Sequence, residues 1–359
     1  MGSDQRLTEI ELIDIDVRYP RTIGRNARLG SHGAGFPARV ARVSTNTGAS
    51  GWGVVEGRAG ELQQWVGYPL EELFEPSVGL LDPAAAPLDL ALHDLAARAA
   101  AVPVFALLGG RGERSVPCYS GAIYFDDLDP EDAPRGVSAV LENCAADWSS
   151  GYRAFKLKIG RGNRWMDRQA GFVRDVEVTR AVREHYPDAR LLVDVNDGYT
   201  PGETIAFLRA VADCDLYWIE EPFQEEAAGL LAVRDYLRES GSRVLIADGE
   251  WQPEEDSLLE LARSGLIDVL LMDVLTFGLT AWRRVMPQLA QMGVAASPHA
   301  WGQPLKTAYA AQLATGLGNV EVVEGVPGGT GGVDASAYRL DGGNIVVPDQ
   351  PGFGLTLTG

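Results

Sequence analysis

The sequence predicts an α/β protein in which a (β/α)8 barrel follows a smaller α+β domain. From about residue 115 the chain repeats a short apolar strand, a loop and a segment long enough for one helix. Eight such strands fit in about 210 residues, which is the count of a (β/α)8 barrel. Apolar strands that alternate with helices are typical of a parallel sheet buried on both faces. A doubly wound sheet is the alternative, but it usually has fewer strands, and no GxGxxG motif follows a first strand here.

The smaller domain is predicted from a change of pattern along the chain. Residues 5–60 alternate in strand fashion around the Gly- and Arg-rich loop RTIGRNARLGSHGAG, and residues 60–110 read as helices that end at a glycine pair. Strands followed by helices predict an α+β domain at 1–115. The barrel then occupies 116–330. The last segment, 331–359, returns to β character and is expected to pack back on the first domain.

The charge of the chain narrows the class of partner. A net charge of −19 argues against nucleic acid and against an anionic membrane surface, because both repel an acidic protein. It leaves a small anionic substrate open, since local cations or a metal invert the field inside a cleft.

The localisation is predicted from the cysteines and from the apolar segments. Cys118, Cys144 and Cys214 are odd in number, far apart and outside any CxxC motif, so reduced thiols are expected. The first residues lack the basic and apolar regions of a signal peptide. No apolar run approaches the roughly 18–20 residues of a membrane span. We therefore expect a cytoplasmic protein.

An ionisable residue recurs at the carboxyl end of seven successive predicted strands. Barrel interiors are filled by apolar side chains and active sites lie at the carboxyl ends of the strands, so recurring charge there indicates a functional rim. Consecutive positions are 38, 26, 30, 23, 26 and 25 residues apart, about one strand–helix unit each. From the second strand to the eighth, the positions are Lys156 with Lys158, Asp194, Glu220, Glu250, Asp273, His299 and Glu324.

Three of these residues form a candidate metal site. Asp194, Glu220 and Glu250 follow three successive strands and are expected to converge as hard oxygen ligands. Three carboxylates with open positions suit Mg²⁺, which prefers oxygen donors and keeps several waters. The segment IADGEW also offers Asp248, which stays open as an alternative third ligand.

The lysine pair in FKLKIG indicates a base. The chain contains only three lysines, the third being Lys306, against 28 arginines. Lys156 and Lys158 are two residues apart in a strand, so both side chains point to one face. Mutual repulsion and partial burial are expected to lower their pKa towards the range of a useful base. Arginine cannot play this part because it keeps its proton.

His299 is the histidine that indicates chemistry. It follows an apolar strand in SPHAWGQP, whereas His93 lies in a helical segment and His185 lies between a helix and a strand. Asp273 ends the preceding strand and is expected to accept a hydrogen bond from His299, which fixes the tautomer of the ring. A histidine held in this way opposite a lysine pair is predicted to be catalytic.

Together these motifs resemble the enolase superfamily, specifically its mandelate racemase/muconate lactonizing enzyme branch. The resemblance covers nearly the whole chain and rests on FKLKIG, VDVND, WIEEP, GEW and SPHAWG, with the helix ALHDLAARAAAVPVFALLGG and the tail VVPDQPGFG. It implies a modified TIM barrel closed by the α+β cap. It also implies one Mg²⁺ per subunit, held by Asp194, Glu220 and Glu250, and a homo-oligomer.

The resemblance further implies the chemistry. Members of this superfamily remove the proton α to a carboxylate and stabilise the resulting enediolate with Mg²⁺. By position, Lys158 resembles the base on one face of the substrate, and His299 with Asp273 resembles the acid/base on the other.

Other residues resemble supporting groups. Lys156 corresponds to the neighbour that lowers the pKa of Lys158 and meets the substrate carboxylate. Glu324 corresponds to the acid that hydrogen-bonds the opposite carboxylate oxygen. Asn196 and Glu221 correspond to residues that support the metal ligands.

The sixth strand departs from the family pattern. The usual basic residue and glycine pair are replaced by DVLTFGLT, with Thr276 and the single Gly278. No lysine lies between 159 and 305, so the lysine that cycloisomerases and succinylbenzoate synthases carry on this strand is absent. The absence argues against their reactions and favours a racemase-like arrangement of bases.

The favoured activity is Mg²⁺-dependent dehydration of a sugar acid to a 2-keto-3-deoxy acid, with a small carboxylate as substrate. PHAWG resembles the acid-sugar dehydratases. The alternative is a racemase or epimerase of a 2-hydroxy acid or an amino acid derivative, which shares the enediolate. A Schiff-base lyase and a barrel that only binds are two further possibilities.

Specificity is predicted to lie in the loop RTIGRNARLGSHGAG. Arg25, Arg28 and His32 are candidates to meet the polar or anionic end of a substrate, together with Asn196 on the barrel. The alternative is a mobile Gly-rich loop whose arginines are solvated.

Overall fold

A computed structural model describes residues 4–56 and 59–358. Residues 1–3 and 57–58 of the predicted first domain and residue 359 of the predicted tail lie outside the described residues. The strands of the described part are β1 (Leu7–Ile23), β2 (Gly33–Thr45), β3 (Ser50–Val54), β4 (Phe74–Glu75), β5 (Gly79–Leu80), β6 (Ser115–Ile123), β7 (Ala154–Lys158), β8 (Arg190–Asp194), β9 (Leu216–Glu220), β10 (Leu245–Asp248), β11 (Val269–Leu270), β12 (Ala295–Ala296), β13 (Val323–Gly325), β14 (Gly329–Gly331), β15 (Val333–Asp334), β16 (Arg339–Asp341), β17 (Asn344–Val346) and β18 (Thr356–Leu357).

The helices cluster in the second part of the cap and around the barrel. They are α1 (Ala59–Leu62), α2 (Leu70–Leu73), α3 (Asp89–Ala99), α4 (Val104–Leu108), α5 (Val137–Ser149), α6 (Arg168–His185), α7 (Pro201–Ala210), α8 (Ala227–Ser240), α9 (Glu255–Arg263), α10 (Gly278–Met292) and α11 (Pro304–Leu317). Among the described residues, none of these helices has the length and apolar character needed to cross a bilayer.

The barrel consists of eight parallel strands in the order β13-β6-β7-β8-β9-β10-β11-β12. A parallel bridge between Ala296 and Val320 closes the ring. In chain order, the seven strands β6 to β12 are each followed by a helix, α5 to α11, whereas β13 is followed by β14. The predicted fold class, a modified (β/α)8 barrel with an α+β cap, is confirmed.

Apolar side chains fill the barrel and leave its carboxyl end to polar residues. The interior cluster contains Trp218 and Leu192, both with no exposed surface, and Tyr119 at 1%. Burying a large apolar side chain contributes about 1.5–3 kcal/mol, so this cluster holds the strands in place beneath the site. The helices are set by local signals as well. At α7, Thr200 and Glu203 cap each other's backbone N–H groups in a capping box.

The cap packs on the barrel through α3. In the cap, β1, β2 and β3 form an antiparallel sheet. Trp52 on β3 donates its backbone N–H to Asp94 of α3 (2.9 Å). On the barrel side, Thr280 of α10 donates its hydroxyl to Asp89 of α3 (2.6 Å). The helix is buried between the two parts, so the cap is held at a defined distance from the barrel mouth.

The tail contacts both the cap and the barrel. β14 pairs with β1 of the cap, and Phe353 donates its backbone N–H to Asp94 of α3 (2.9 Å). However, β17 pairs with β6, the first barrel strand. Packing on the cap is therefore only part of what the tail does. The domain boundaries 115/116 and 330/331 stay predictions.

Candidate active site

Three carboxylates meet at the carboxyl end of the barrel. Asp194 ends β8, Glu220 ends β9 and Glu250 lies two residues beyond β10. Each offers one oxygen, and these oxygens all lie within 4.8 Å of one another. Asp194 and Glu220 are fully buried, and the second oxygen of Glu250 is buried without a hydrogen-bond partner. Three clustered anionic oxygens with an unsatisfied atom fit a hard divalent cation such as Mg²⁺.

Asp248 lies apart from this group. It ends β10, and one oxygen of its carboxylate accepts the backbone N–H of Gly249 (2.8 Å), whereas the other oxygen is buried without a partner. Burial raises its pKa well above the usual range, and the nearby charge of Glu225 adds to that effect. The structure thus brings Glu250, and not Asp248, together with the other two carboxylates.

Both lysines of FKLKIG point into the carboxylate cluster. The ammonium of Lys156 lies 2.7 Å from Glu220 and 2.9 Å from Glu324, and 3.4 Å from Asp194. Lys158 pairs with Asp194. The two side chains are 1% and 2% exposed. Their common face, predicted from their spacing in β7, is the inner face of the barrel mouth.

The expected lowering of the lysine pKa values is wrong for this structure. Burial does lower the pKa of Lys156 and Lys158, but the carboxylates around each ammonium outweigh burial and raise it. Glu220 and Glu324 act most strongly on Lys156, and Asp194 on Lys158. The prediction weighed the two amines against each other and left out the anions that the neighbouring strands bring to them.

His299 makes the predicted contact with Asp273. Its Nδ1 lies 2.9 Å from Oδ2 of Asp273, and its Nε2 lies 3.2 Å from Glu250 and 3.8 Å from Glu324. The backbone of His299 bonds to both Leu271 and Val274 (3.0 Å each), so the loop after β12 is tied to the irregular sixth strand. The ring therefore faces the metal-site carboxylates with Nε2.

Gly278, the single glycine of the irregular sixth segment, is required for steric reasons. Gly278 opens α10 with a φ of +83°, a conformation that side chains with a Cβ disfavour. A Cβ there would also lie 2.6 Å from Oδ2 of Asp89 in the cap. The cap helix thus requires a glycine where the barrel meets it.

Lys306 is a site residue that the prediction missed. It lies in the first turn of α11, pairs with Asp273 and donates to the backbone carbonyl of Trp301 (3.1 Å). All three lysines of the chain therefore lie in one site. The scarcity of lysine was the signal that could have found it, because it marks Lys306 as strongly as the FKLKIG pair.

Glu324 is held as an ionised group. One oxygen accepts the backbone N–H groups of Ala300 and Trp301 (2.8 Å each), and the other faces Lys156. Burial alone raises the pKa of Glu324, but Lys156 and then His299 lower it to about 2. The neighbouring strand leaves room for this carboxylate only through Gly121, where a Cβ would lie 2.5 Å from Oε1 of Glu324.

Arg28 and Arg25, both proposed from the cap loop, lie in different places. Arg28 donates to the backbone carbonyl of Asn196 (2.8 Å), pairs with Asp197 and lies over the ring of Trp251 (4.7 Å). It therefore joins the cap loop to two barrel loops at the rim of the site. Arg25 instead pairs with acidic residues of the segment after β6.

The contacts of Arg25 lead away from the carboxylates. Its guanidinium pairs with Asp129 (2.5 Å) and Glu131 (2.9 Å), and it lies over Trp165 (4.7 Å). These contacts use its donors within the protein, so the structure does not bring Arg25 into the site.

His32 lies against aromatic residues beside Lys158. Its Nδ1 bonds to the carbonyl of Gly24 (3.0 Å), and its ring centre lies 4.8 Å from Tyr124 and 6.1 Å from Trp301. Burial lowers its pKa, and the charge of Lys158 lowers it further. The ammonium of Lys158 in turn lies 5.4 Å from the centre of the Tyr124 ring. Tyr124 and Trp301 are site neighbours that sequence reasoning missed.

Asn196 and Glu221 support the carboxylates from strained backbone positions. Both have positive φ values, 45° and 40°. The backbone N–H of Asn196 donates to Asp194 (2.9 Å), and the side-chain oxygen of Asn196 is buried without a partner. Glu221 accepts the backbone N–H of Trp251 (2.6 Å). Strain of this kind clusters at functional sites.

Comparison with known proteins adds the family. Residues 139–359 match the family model described as "Enolase C-terminal domain-like". Two structures of a galacturonate dehydratase from Geobacillus sp. are similar over nearly the whole chain, each with a TM-score of 0.94 and 31% identity. The structure complexed with Mg covers 99% of this chain and 94% of its own. The structure complexed with D-galacturonate and 5-keto-4-deoxy-D-galacturonate covers 100% and 96%.

Two curated relatives are similar over a shorter span. The D-galactarolactone cycloisomerase of Agrobacterium fabrum is 31% identical over 239 residues, which are 66% of this chain and 58% of that protein. The arabinonate dehydratase of Saccharolobus solfataricus is 26% identical over 282 residues, 75% of this chain and 68% of that protein.

Proposed function

This chain belongs to the mandelate racemase/muconate lactonizing enzyme branch of the enolase superfamily, and from that premise we propose that it is a Mg²⁺-dependent dehydratase of a sugar acid. The observation that carries the proposal is that Lys158 and His299, which can both transfer protons, lie at opposite ends of the group of three carboxylates. Lys158 pairs with Asp194 at one end. At the other end, Nε2 of His299 lies 3.2 Å from Glu250. A substrate carboxylate held at the trio has an ionisable group on each side of its α-carbon.

The residues that hold the metal are Asp194, Glu220 and Glu250, one ion per subunit. When bound, Mg²⁺ supplies the positive charge that lowers the cost of a second negative charge on the substrate carboxylate. The donor set supports this choice, since all three are hard anionic oxygens and Glu250 has an oxygen without a partner.

A Mg²⁺ ion on Asp194 would offset the negative charge that raises the pKa of Lys158, and the amine of Lys158 would then take the α-proton while His299 delivers a proton on the other face. The bond from the α-carbon to hydrogen breaks, and its electrons form the enediolate. The bond from the β-carbon to its hydroxyl then breaks as Nε2 of His299 gives that oxygen a proton, so that water leaves. The enol then gains a proton at the β-carbon and loses the proton of its α-hydroxyl group, which gives a 2-keto-3-deoxy acid.

Lys156 binds the substrate carboxylate in this proposal, and Glu324 supports Lys156. The resemblance assigns Glu324 a hydrogen bond to a carboxylate oxygen, but an ionised Glu324 cannot donate one. Lys156 has the donors for that bond and lies 2.9 Å from Glu324. Glu324 therefore orients Lys156, and Lys156 meets the substrate.

The substrate class follows from the relatives. Two of them are named for dehydration of sugar acids, and the Geobacillus enzyme was seen with D-galacturonate. Uronates and aldonates are therefore the first candidates. Arg28, with Asn196, lies at the rim where the distal end of such a chain meets the cap loop. A cytoplasmic location and a homo-oligomer are parts of the same proposal, supported by the sequence pattern.

Proton NMR in D₂O with Mg²⁺ and pools of uronates, aldonates, 2-hydroxy acids and N-substituted amino acids tests the proposal. A 2-keto-3-deoxy product supports the dehydratase. Loss of the α-proton signal without loss of water from the substrate supports the racemase or epimerase, which uses the same two groups. A cyclic substrate opened to an isomer would instead support cycloisomerisation, the activity for which the A. fabrum relative is named.

Variants identify the groups responsible. We expect Lys158→Met and His299→Asn each to lower dehydration about 10²-fold or more, because general acid–base catalysis contributes about 10²–10⁴-fold. Arg263→Gln, on the outer helix α9, is the matched control and retains activity. No exchange with any acid, in a sample that binds Mg²⁺, would contradict the substrate class. Failure to bind Mg²⁺ would contradict the metal site itself.

A further inference from the structure

Lys306 and His299 share one oxygen of Asp273. Nδ1 of His299 lies 2.9 Å from Oδ2, and Lys306 pairs with the same atom. The other oxygen accepts the backbone N–H groups of Leu275 (2.8 Å) and Thr276 (3.0 Å). Four donors therefore fix the orientation of the carboxylate.

The position of Lys306 is unfavourable in its own helix. It lies in the first turn of α11, where the helix dipole repels a cation, and it is 8% exposed. Its charge is offset by Asp273 and by the carbonyl of Trp301 at 3.1 Å. A residue that only filled space here would be better replaced by an apolar one, because a buried charge is costly unless it is paired.

The contact has a consequence for the imidazole. An ionised carboxylate only accepts hydrogen bonds, so the His299 nitrogen that faces Asp273 must carry the hydrogen. In the neutral ring this leaves Nε2 as the acceptor, facing Glu250 and Glu324. A cation on Asp273 thus holds Nε2 towards the place where the substrate reacts, where it accepts a proton in the neutral ring and donates one in the protonated ring.

We propose that Lys306 is a positioning residue for His299, which acts by clamping Asp273 so that Nε2 of the imidazole is presented to one face of the substrate. The inference rests on the proposed function, since it assigns His299 a face of the α-carbon. It predicts an effect confined to that face. The group on the other face of the substrate is Lys158, which lies on β7 and does not contact Lys306.

The test compares α-proton exchange into D₂O for two substrates that are epimers at the α-carbon, with Mg²⁺ present. In Lys306→Met we expect exchange on the His299 face to fall about tenfold or more, a part of the 10²–10⁴-fold that an acid–base group contributes. Exchange on the Lys158 face stays within about twofold of wild type. Lys306→Arg, which keeps a cation that binds carboxylates, restores part of the loss.

A double variant separates positioning from general damage. If Lys306 acts through His299, Lys306→Met causes no further loss in a His299→Asn background, because coupled residues are not additive. The matched control is Gln312→Met on the same helix, which removes a buried polar side chain that bonds to Phe105 and Tyr338 and not to Asp273. Gln312→Met is expected to lower the rate of α-proton exchange on both faces equally, or on neither.

Histidine-selective ¹⁵N labelling gives a readout that does not need a substrate. The chain has four histidines, and Lys306→Met should shift the imidazole signals of His299 while His32, His93 and His185 serve as references. If Lys306→Met does not fold, Lys306→Gln takes its place. Equal losses on both faces, or an unshifted His299, would overturn the inference. An absence of exchange in the wild type, with a shifted His299, would instead contradict the proposed function alone.

Discussion

The ammonium of Lys156 lies 2.9 Å from Oε1 of Glu324, so an ion pair joins the second barrel strand, β7, to the eighth, β13, past β6, which lies between them. The other oxygen of Glu324 accepts the backbone N–H groups of Ala300 and Trp301. One carboxylate therefore couples the lysine pair to the loop that carries His299.

Glu324→Gln is predicted to lower both stability and activity. The amide keeps the shape but places an N–H₂ group opposite either Lys156 or the two backbone N–H groups. Lys156 retains Glu220, so we expect a loss of about 1–3 kcal/mol in the free energy of unfolding, less than the full cost of breaking a buried pair. Urea denaturation at pH 7 measures it, with Glu321→Gln as the control.

The free energy of unfolding of the same variant is predicted to depend less on pH in the acid range than that of the wild type. The pKa of Glu324 falls from 4.5 to about 2 on folding, so its contribution is present above about pH 4.5 and is lost as the pH falls towards 2. The difference in unfolding free energy between wild type and Glu324→Gln should therefore shrink over that window. A difference that is constant with pH would contradict an ionised Glu324.

Mg²⁺ is predicted to stabilise the protein through three carboxylates. At 100 times its dissociation constant, a bound ion adds about 2.7 kcal/mol to the free energy of unfolding, so Tm should rise with Mg²⁺ and fall with a chelator. Asp194→Asn, Glu220→Gln and Glu250→Gln should each weaken the effect.

Asp248→Asn is the matched control for the metal site. Asp248 is a buried acid at the end of β10, two residues before Glu250, yet it lies outside the group of three carboxylates. Calorimetric titration should show Mg²⁺ affinity close to wild type. A loss as large as that of Glu250→Gln would show that the third ligand is Asp248.

Arg28→Ala is predicted to loosen the cap loop. The side chain joins this loop to Asn196, Asp197 and Trp251, and charge-assisted hydrogen bonds contribute about 1.5–3 kcal/mol. Hydrogen exchange should become faster in peptides that cover residues 24–32. With an active substrate, KM should rise about tenfold with a smaller change in kcat, since about 1.4 kcal/mol corresponds to tenfold.

Arg18→Ala is the control for the cap. Its ion pair with Asp16 is largely exposed, and such pairs contribute little. Hydrogen exchange of the loop should be unchanged in this variant. Equal hydrogen-exchange protection of the loop in Arg28→Ala and in the wild type would show that the contacts of Arg28 do not hold the loop in place.

Asp126→Asn is predicted to stabilise the protein at neutral pH. Burial raises the pKa of Asp126 from 3.8 to about 6, so the folded state holds this proton more tightly than the unfolded state. Stability is therefore lost as the pH rises from about 4 to about 6. The amide removes that loss and should add about 1–3 kcal/mol at pH 7. Chemical denaturation at pH 4 and pH 7 measures it, with the exposed Asp132→Asn as control.

The barrel and its rim were predictable because both follow from local periodicity. Eight apolar strands with regular spacing have few arrangements, and the carboxyl ends of parallel strands must meet at one edge. Asp194, Glu220 and His299 were therefore placed together by counting residues alone. Each of these positions needs only its own strand to be recognised.

Lys306 could not be placed in this way. It belongs to a helix, and its contact with Asp273 depends on how the seventh loop turns back over the sixth strand. The pKa error for the lysines has the same origin, because the anions around Lys156 come from three other strands. The contacts of Arg25 could not be predicted, since its partners, Asp129 and Glu131, lie in a connection with no pattern of its own.

The concentration of lysine in the barrel mouth gives the protein an exterior without ε-amines. The three side chains are 1%, 2% and 8% exposed, and the remaining basic side chains that always carry charge are arginines. Amine-reactive dyes and crosslinkers should therefore find little beyond the α-amino group on the folded protein. A lysine-selective isotope label would yield three side-chain signals, all of them from the active site, with no surface background to subtract.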